Sequence, residues 1–194
     1  MMNKHVDSVQ DPIPDYLNDT YWWAYLTPEA IRFFDRPWMT NLILWGNYAR
    51  LGRAVINELR SHVKCQVVQI GSVYGSLTKN IAAALKSGSR YTVVDVAQIQ
   101  LDNLKSKMGA NAMMHYLQCD ATQLKLPSAS SDLTLLFFLL HEVPAPQKTW
   151  ALSEAWRITK PKGKLVVVDY HQPGLLNPLG YLMQPLLKKL EPFA

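Results

Sequence analysis

The sequence predicts a single α/β domain whose parallel β-sheet is covered by helices on both faces. The chain has 194 residues, 48% of them hydrophobic, which is enough to bury one core. From residue 64 onward, apolar runs rich in β-branched and aromatic residues alternate with amphipathic helical patterns. A glycine-containing segment, Gln69 to Gly75, joins the first run to the first helical pattern. Strands that alternate with helices in this way pair in parallel.

The predicted elements follow one another regularly along this part of the chain, residues 64–194. The strands are residues 64–70, 90–95, 113–118, 133–140 and 164–170, and the helices are residues 76–86, 97–107, 146–158 and 179–190. Pro161-Lys-Gly163 is a turn signal ahead of the last strand.

The first 60 residues differ in composition from the rest. Residues 1–19 are polar and contain two prolines, which predicts an extended arm. Residues 20–60 hold four of the six tryptophans and predict a helical cap. One helix starts at Thr27-Pro28, and a second is expected from Pro37 through Tyr48. The cap either packs as additional core or forms a lid over an apolar, lipidic substrate at the bilayer interface, and both interpretations stay open.

Composition narrows the classes of partner. The net charge of +5 comes from scattered basic residues, so no nucleic acid is expected. Cys65 and Cys119 each lie in or beside a predicted strand, which favours free thiols in a reducing compartment. No apolar run approaches the roughly 18 residues of a membrane span, and the N-terminus has no hydrophobic signal core. We therefore expect a protein that is soluble or bound to a membrane surface.

Polar side chains stand at the end of every predicted strand. They are Gln69, Asp95, Asp120, the pair His141-Glu142 and the run Asp169-Tyr170-His171. The carboxyl ends of parallel strands meet at one rim, where such sheets bind ligands. Gly71 and Gly75 have no Cβ, so a ligand can approach the backbone there and reach amides at the helix start. The rim is therefore the expected functional site.

Residues 64–170 resemble the class I S-adenosylmethionine-dependent methyltransferases, which have a Rossmann-like sheet. The first motif of that family is an acidic residue followed by alternating glycines, and its places here are taken by Gln69, Gly71, Val73 and Gly75. The resemblance implies S-adenosylmethionine as cofactor, with Asp95 on the ribose and Asp120-Ala121 near the adenine. The implied cofactor-binding residues are Gln69, Gly71, Ser72, Val73, Gly75, Asp95, Val96, Asp120 and Ala121.

Two departures from that pattern matter. Val73 replaces the glycine that would admit a pyrophosphate, so a nicotinamide dinucleotide is less expected. The family also ends its sheet with an antiparallel strand pair, which this sequence lacks. We expect either a truncated chain or a sheet edge covered by another subunit, which leaves oligomerisation open.

A more specific resemblance is to the rhodoquinone biosynthesis methyltransferase-like family. The segments that carry it are Tyr21–Leu26, Asn41–Asn47, Val73–Gly75, Leu136–Glu142, Val168–His171 and Leu190–Phe193. It implies conversion of ubiquinone to rhodoquinone, a quinone of anaerobic respiration, by exchange of a ring methoxy group for an amino group. S-adenosylmethionine would then be the amino donor. It also implies a peripheral position on the inner membrane, on its cytoplasmic or mitochondrial-matrix side.

The loop change fits an amino donor. A carboxylate near an amine raises the pKa of the amine, and the resulting ammonium has no lone pair with which to attack a quinone. Gln69 carries no such charge. The alternative is that Gln69 only hydrogen-bonds the loop.

Catalytic roles are expected for His141, Glu142, Asp169 and His171, with Tyr74 and Tyr170. The first four could stabilise the charge that develops on a ring oxygen, or hold a divalent cation such as manganese that does so. Tyr74, Tyr170, Tyr21 and Tyr25 could donate to the ring carbonyls. Hydrogen-bonded rim residues without catalytic roles are the alternative. The wider alternatives are a conventional methyltransferase of a quinone or another small molecule, and a non-catalytic module that binds cofactor or lipid.

Overall fold

A five-stranded parallel sheet forms the centre of the computed structural model, which describes residues 12–59 and 64–170. Its strands are β1 (Gln66–Ile70), β2 (Arg90–Asp95), β3 (Met114–Gln118), β4 (Ser131–Phe137) and β5 (Thr159–Val168), in the spatial order β3-β2-β1-β4-β5. Ile70 of β1 pairs with Val94 on one side and Leu136 on the other, so these strands end level with each other. The predicted α/β class is confirmed.

Alternation along the strands divides the core between the two faces of the sheet. Val67 and Val93 point to the face covered by α4 (Tyr48–Leu59), α5 (Leu77–Ala84) and α6 (Gln98–Met108). Val68 and Val94 point to the opposite face, which is covered by α7 (Ala145–Ile158). Strands β1, β2 and β4 are buried on both faces, and apolar residues occupy most of their interior positions, with Gln69, Thr92 and Thr134 as buried polar exceptions.

The last described strand begins earlier than the sequence indicates. β5 starts at Thr159, directly after α7, and its pairing with β4 passes from Thr159 opposite Ser131 to Lys164 opposite Leu133. The expected turn at residues 161–163 is thus an irregularity inside the strand. A Cβ on Gly163 would lie 2.9 Å from the carbonyl oxygen of Asp132, so the two strands can approach only at a glycine.

The N-terminal part is helical, as expected for the cap, but two of its boundaries differ from prediction. Residues 15–21 are helical, ending in the π-helical turn Leu17–Tyr21, so the expected extended arm is wrong for residues 15–19. The cap continues with α1 (Trp22–Tyr25), α2 (Pro28–Phe34) and α3 (Pro37–Ile43). Within the described residues, no helix is long and apolar enough to cross a membrane.

The predicted helix from Pro37 through Tyr48 is two helices, α3 and α4. The Trp45 amide donates to the Leu42 carbonyl and the Gly46 amide to the Asn41 carbonyl, with both Trp45 and Gly46 at positive φ. This hydrogen-bond pattern is a common way for a helix to end. The predicted helix 179–190 and His171 lie outside the described residues.

Candidate cofactor and substrate site

The strand ends and the cap line an open cavity with about 1300 Å³ of empty space, a volume that includes space open to solvent. One wall is formed by the loops after β1, β2, β3 and β4, and the other by cap residues between Tyr16 and Tyr48. The predicted rim is therefore half of the site, and the cap supplies the other half.

The loop after β1 packs closely against the cap. Gly71 and Gly75 have φ of +87° and +81°, a conformation that glycine adopts most readily. A Cβ on Gly75 would lie 2.6 Å from the hydroxyl oxygen of Tyr48, which in turn accepts a hydrogen bond from the Leu77 amide at 2.6 Å. The loop therefore needs a glycine at residue 75 because the cap lies directly over it.

Two backbone amides of this loop donate hydrogen bonds to side chains of the protein itself. The Ser72 amide donates to Asp95 at 2.7 Å and the Gly75 amide donates to Asp35, in the cap, at 2.7 Å. Lys107 holds the same Asp35 oxygen at 2.6 Å and donates to the Gly75 carbonyl at 2.8 Å. A pyrophosphate would need such amides for itself. The amides of Ser72 and Gly75 are therefore not available to a ligand in this conformation.

Gln69 lies behind the loop and is not part of the cavity wall. Its side chain is fully buried, donates to the Gly71 carbonyl at 2.8 Å, and accepts hydrogen bonds from the hydroxyls of Thr78 and Tyr91. The side chain thus holds the loop, as in the alternative given above. Any influence on a bound amine passes through the Gly71 carbonyl.

Asp95 lies in the cavity at the end of β2, where the resemblance places a ribose-binding carboxylate. Its two oxygens accept from the Ser72 amide at 2.7 Å and the Ala97 amide at 2.8 Å. Burial raises the pKa of Asp95 to about 6, although these two backbone bonds act in the opposite direction. Each oxygen retains a second lone pair that could accept from a sugar hydroxyl.

The loop after β3 completes this half of the cavity. One Asp120 oxygen accepts from the Thr122 amide at 2.7 Å and from the Thr122 hydroxyl at 2.8 Å, which fixes the turn. Ala121 and Val96 line the same space. Of the nine expected cofactor residues, Gly71, Ser72, Val73, Asp95, Val96, Asp120 and Ala121 line the cavity, whereas Gln69 and Gly75 support its loop.

The other half of the cavity contains a row of four polar side chains, from Asp169 through His141 and Glu142 to Tyr25. His141 is buried, and its Nδ1 lies 2.8 Å from Asp169 while its Nε2 lies 3.7 Å from Glu142. The Tyr25 hydroxyl, from the cap, donates to the same Glu142 oxygen. Burial raises the pKa of Asp169, but hydrogen bonding and attraction to His141, with the amides of Tyr170 and Leu140, outweigh it and lower the pKa below its ordinary value.

The two tyrosines expected to be catalytic are placed differently. The ring of Tyr170 lies edge-on to that of His141, with centroids 4.6 Å apart, and lines the cavity. Tyr74 also lines it, but its hydroxyl donates to the Ala24 carbonyl at 2.6 Å and accepts from Gln100 at 2.9 Å. Burial, the largest cause, raises the pKa of Tyr74. Its hydroxyl thus fastens the cap to the domain.

A metal site is not supported by the part of the chain that the structure describes. Within residues 12–59 and 64–170, no three His, Cys, Asp or Glu side chains converge as metal ligands would. Asp169 and Glu142 lie instead at opposite nitrogens of His141. The fourth expected ligand, His171, is outside the described residues. We therefore derive no catalytic step through a metal ion.

Several cavity residues were not anticipated from the sequence. Tyr16 faces Asp120, Glu142 and Asp95, and burial followed by these three charges raises its pKa. Gln147 in the first turn of α7 lines the cavity, and its buried Oε1 accepts no hydrogen bond from any described residue. The only signal for Tyr16 was an aromatic residue in a polar segment, and Gln147 carried none.

The strand order and the rim define a Rossmann-like protein of the class I methyltransferase type. Residues 68–167 match the family described as "Methyltransferase domain". These residues make up half of the chain, and the protein belongs to that family.

Similarity to named proteins is lower. Over 147 residues the chain is 30% identical to "Ubiquinone/menaquinone biosynthesis C-methyltransferase UbiE" of Ectopseudomonas mendocina, covering 73% of this chain and 55% of that protein. The chain spans about half the length of the curated relatives it matches.

Among solved structures, an S-adenosylmethionine-dependent methyltransferase from Aquifex aeolicus has a TM-score of 0.58 at 19% identity, covering 84% of this chain and 87% of that chain. The N-methyltransferase NodS from Bradyrhizobium japonicum, solved with S-adenosyl-L-homocysteine, has a TM-score of 0.57 at 20% identity, covering 73% of this chain and 66% of that chain. At these identities the likeness concerns the fold alone.

Proposed function

We propose that this chain binds S-adenosylmethionine beside Asp95 and Asp120 and acts on a quinone of the ubiquinone type in the other half of the cavity. The observation that carries the proposal is that one cavity is lined both by Asp95 and Asp120 and by the polar groups Tyr25, His141 and Glu142. Carboxylates at the ends of β2 and β3 suit the hydroxyls and amino groups of an adenosine. Beyond them, the wall is largely apolar and aromatic.

The second half suits a flat ring with oxygen substituents and an apolar tail. Leu17, Ile43, Leu44, Phe137 and Phe138 provide apolar contact area there. The polar groups in that half, Tyr25, His141, Glu142, Tyr170 and Gln147, are the kind of few, placed groups that orient a ligand. The names of the curated relatives also support a quinone substrate.

The proposed reaction is exchange of a ring methoxy group for an amino group. When bound, S-adenosylmethionine would supply the nitrogen through a new bond to the ring carbon, and the methoxy group would leave as methanol. The bond between that nitrogen and the α-carbon of the donor would then break, with the quinone ring taking up two electrons and water adding to the donor carbon. The donor would leave as its 2-oxo acid, and the ring product would be the aminated quinone in its reduced, quinol form. His141 would take the proton that the incoming nitrogen loses. The Asp169 carboxylate 2.8 Å from its Nδ1 supports this role, since it leaves Nε2, 3.7 Å from Glu142, as the second nitrogen. The side-chain amide nitrogen of Gln147 could donate to a ring oxygen, and its Oε1 could accept from the incoming amino group. Proposed partners are therefore ubiquinone as substrate and rhodoquinone as product.

Gln69 supports the amino-transfer proposal because it is neutral at a position, next to the Gly71 carbonyl, where the family pattern has an acidic residue. Gln69→Glu is expected to lower amino transfer by favouring the ammonium form of the donor. A carboxylate cannot donate to the Gly71 carbonyl, so loop damage must be separated from the effect of charge. Thr78→Val is the matched control, because it removes a hydrogen bond to Gln69 without adding charge. Equal loss of turnover in both variants would mean that Gln69 only supports the loop.

A second candidate function is conventional C-methylation of a quinol or phenol. The names of the curated relatives favour it. His141, held by Asp169, would then remove a hydroxyl proton so that the ring carbon can attack the methyl group.

The experiment that tests both is product analysis by mass spectrometry. The chain is incubated with a short-chain ubiquinone and S-adenosylmethionine carrying ¹⁵N in its amino group, with manganese or with a chelator. Amino transfer predicts an aminated quinone that carries the label. C-methylation, tested in parallel with a demethylated quinol, predicts a methylated ring and S-adenosylhomocysteine. Binding of S-adenosylhomocysteine with neither product would contradict both and indicate a binding module. The chelator samples test the expectation of a metal.

A further inference from the structure

The cap presents several large apolar side chains to solvent, which we term the aromatic face: Trp23, Phe33, Trp38, Leu42 and Trp45. These side chains are between 41% and 61% exposed. Single exposed apolar residues are common on proteins, whereas contiguous ones mark interaction sites. The aromatic face is therefore a candidate surface for a partner.

Ring contacts show that the aromatic face is contiguous across three helices. Trp23 of α1 packs edge-on against Phe34 of α2, with centroids 5.6 Å apart. Phe33 contacts Phe34 at 5.2 Å and Trp38 of α3 at 6.2 Å. Leu42 follows Trp38 by four residues and therefore lies on the same side of α3.

Cationic side chains accompany the aromatic face. Arg32 and Arg36 are exposed in and just after α2, and the Arg36 guanidinium lies 5.7 Å from the centre of the Phe33 ring. Tryptophan together with arginine is favoured at the boundary between lipid headgroups and acyl chains. Arginines beside the apolar surface also attract anionic headgroups. The charge of this region is thus complementary to an anionic bilayer.

Helix α3 connects the aromatic face to the cavity. Its Trp38 and Leu42 point to solvent, while Thr40 and Leu44, which follows the helix, are buried and line the cavity. Ile43 is 40% exposed and also lines the cavity, so apolar surface continues from the outside of the cap to the cavity mouth.

We infer that the aromatic face inserts into the interfacial layer of an anionic phospholipid bilayer, so that the mouth of the cavity lies next to the bilayer surface. Docking itself does not depend on the reaction catalysed. Its use, the direct entry of a quinone tail from the bilayer, rests on the proposed function.

The test is binding to vesicles of phosphatidylcholine with or without phosphatidylglycerol. The wild-type chain should sediment with the anionic vesicles, and the triple variant Trp38→Ser, Leu42→Ser, Trp45→Ser should lose affinity by at least about ten-fold, since each side chain contributes apolar area. The matched control is Trp150→Ser with Trp156→Ser on α7, where both side chains are 55% or more exposed. This variant should bind as the wild type does. Arg32→Ser with Arg36→Ser should reduce the preference for anionic vesicles.

A second measurement removes ambiguity about folding. Each variant must keep its circular dichroism spectrum and its affinity for S-adenosylhomocysteine. In the wild type, brominated lipids should quench tryptophan fluorescence, and this quenching should be lost in the triple variant although Trp150 and Trp156 are still present.

Three results would overturn the inference. They are absence of wild-type binding to either vesicle, equal loss in the α7 variant, and a wild-type dimer that the triple variant dissociates while no vesicle is bound. The last result would make the aromatic face a contact between two copies of the chain. Vesicle binding without quinone turnover would leave the inference standing and contradict the proposed function. Turnover in detergent without vesicle binding would contradict the inference and leave the proposed function standing.

Discussion

Replacement of Gly75 by alanine tests how closely the cap presses on the cofactor loop. A non-glycine residue in the left-handed region costs about 1–2 kcal/mol, and Gly75 has a φ of +81°. The new Cβ would also lie 2.6 Å from the Tyr48 hydroxyl and displace it from the Leu77 amide. That hydrogen bond is worth about 1 kcal/mol. The total is about 2–3 kcal/mol, and for a chain of this size it corresponds to a Tm lower by roughly 4–12 °C.

The assay is thermal unfolding followed by circular dichroism, with calorimetric titration of S-adenosylhomocysteine. Gly46→Ala is the matched control, because Gly46 has a φ of +76° but a Cβ there would meet nothing within 4 Å. It should show only the backbone cost of about 1–2 kcal/mol. Gly75→Ala should also weaken ligand binding, since Tyr48 and Thr40 line the cavity. If both variants melt at the same temperature and bind equally well, the contact between cap and loop that we describe is wrong.

Four further predictions, two of them on Asp95, concern the cavity. The affinity for S-adenosylhomocysteine should fall as the pH drops through about 6, because ribose hydroxyls donate to ionised Asp95. Titration calorimetry of Asp95→Asn should show weak binding whose affinity does not change over this pH range. Folding raises the pKa of Asp95 from 3.8 to about 6, so protonated Asp95 stabilises the fold fully below about pH 4, and this stabilisation is lost as the pH rises through about 6. Thermal melts in which Asp95→Asn has the same pH dependence as the wild type would contradict this. Asp169→Asn should lower kcat by on the order of 10²-fold with little change in ligand affinity, because it releases His141 from its orientation, and a larger change in KM than in kcat would argue against that role. Gln147→Leu should raise KM for the quinone about ten-fold while leaving cofactor affinity unchanged, and steady-state kinetics with an unaltered KM would exclude Gln147 from substrate binding.

The rim was predictable because it depends only on short-range sequence patterns. Each apolar run ends at a polar residue, and parallel strands place such ends together whatever the details of packing. Asp95, Asp120 and His141 were therefore expected near one another, and all three line one cavity. Boundaries were less predictable where tertiary contacts decide them. β5 continues through Pro161 and Gly163 because pairing with β4 tolerates an irregularity at that point.

Gln69 shows the limit of motif comparison. Its position in the chain places it at the end of β1, but not the side of the loop on which its amide lies. Only the neighbouring Thr78 and Tyr91, which come from α5 and β2, direct the side chain inward and away from the cavity. A motif specifies the residue types along the chain, whereas the orientation of a buried polar side chain depends on which partners satisfy it.

The sequence by itself determined the alternation of strands and helices, the shared edge at which their polar ends meet, and the aromatic composition of the cap. These properties follow from periodicity and from the two glycines of the loop, which are visible within a few residues. Only the tertiary structure decided that the cap forms the second wall of the cavity. That wall depends on contacts such as Tyr25 with Glu142, which are 117 residues apart, and Asp35 with Gly75, which are 40 apart. Such pairs leave no periodic pattern in the chain, because they are selected by the packing of α1 and α2 against the loops.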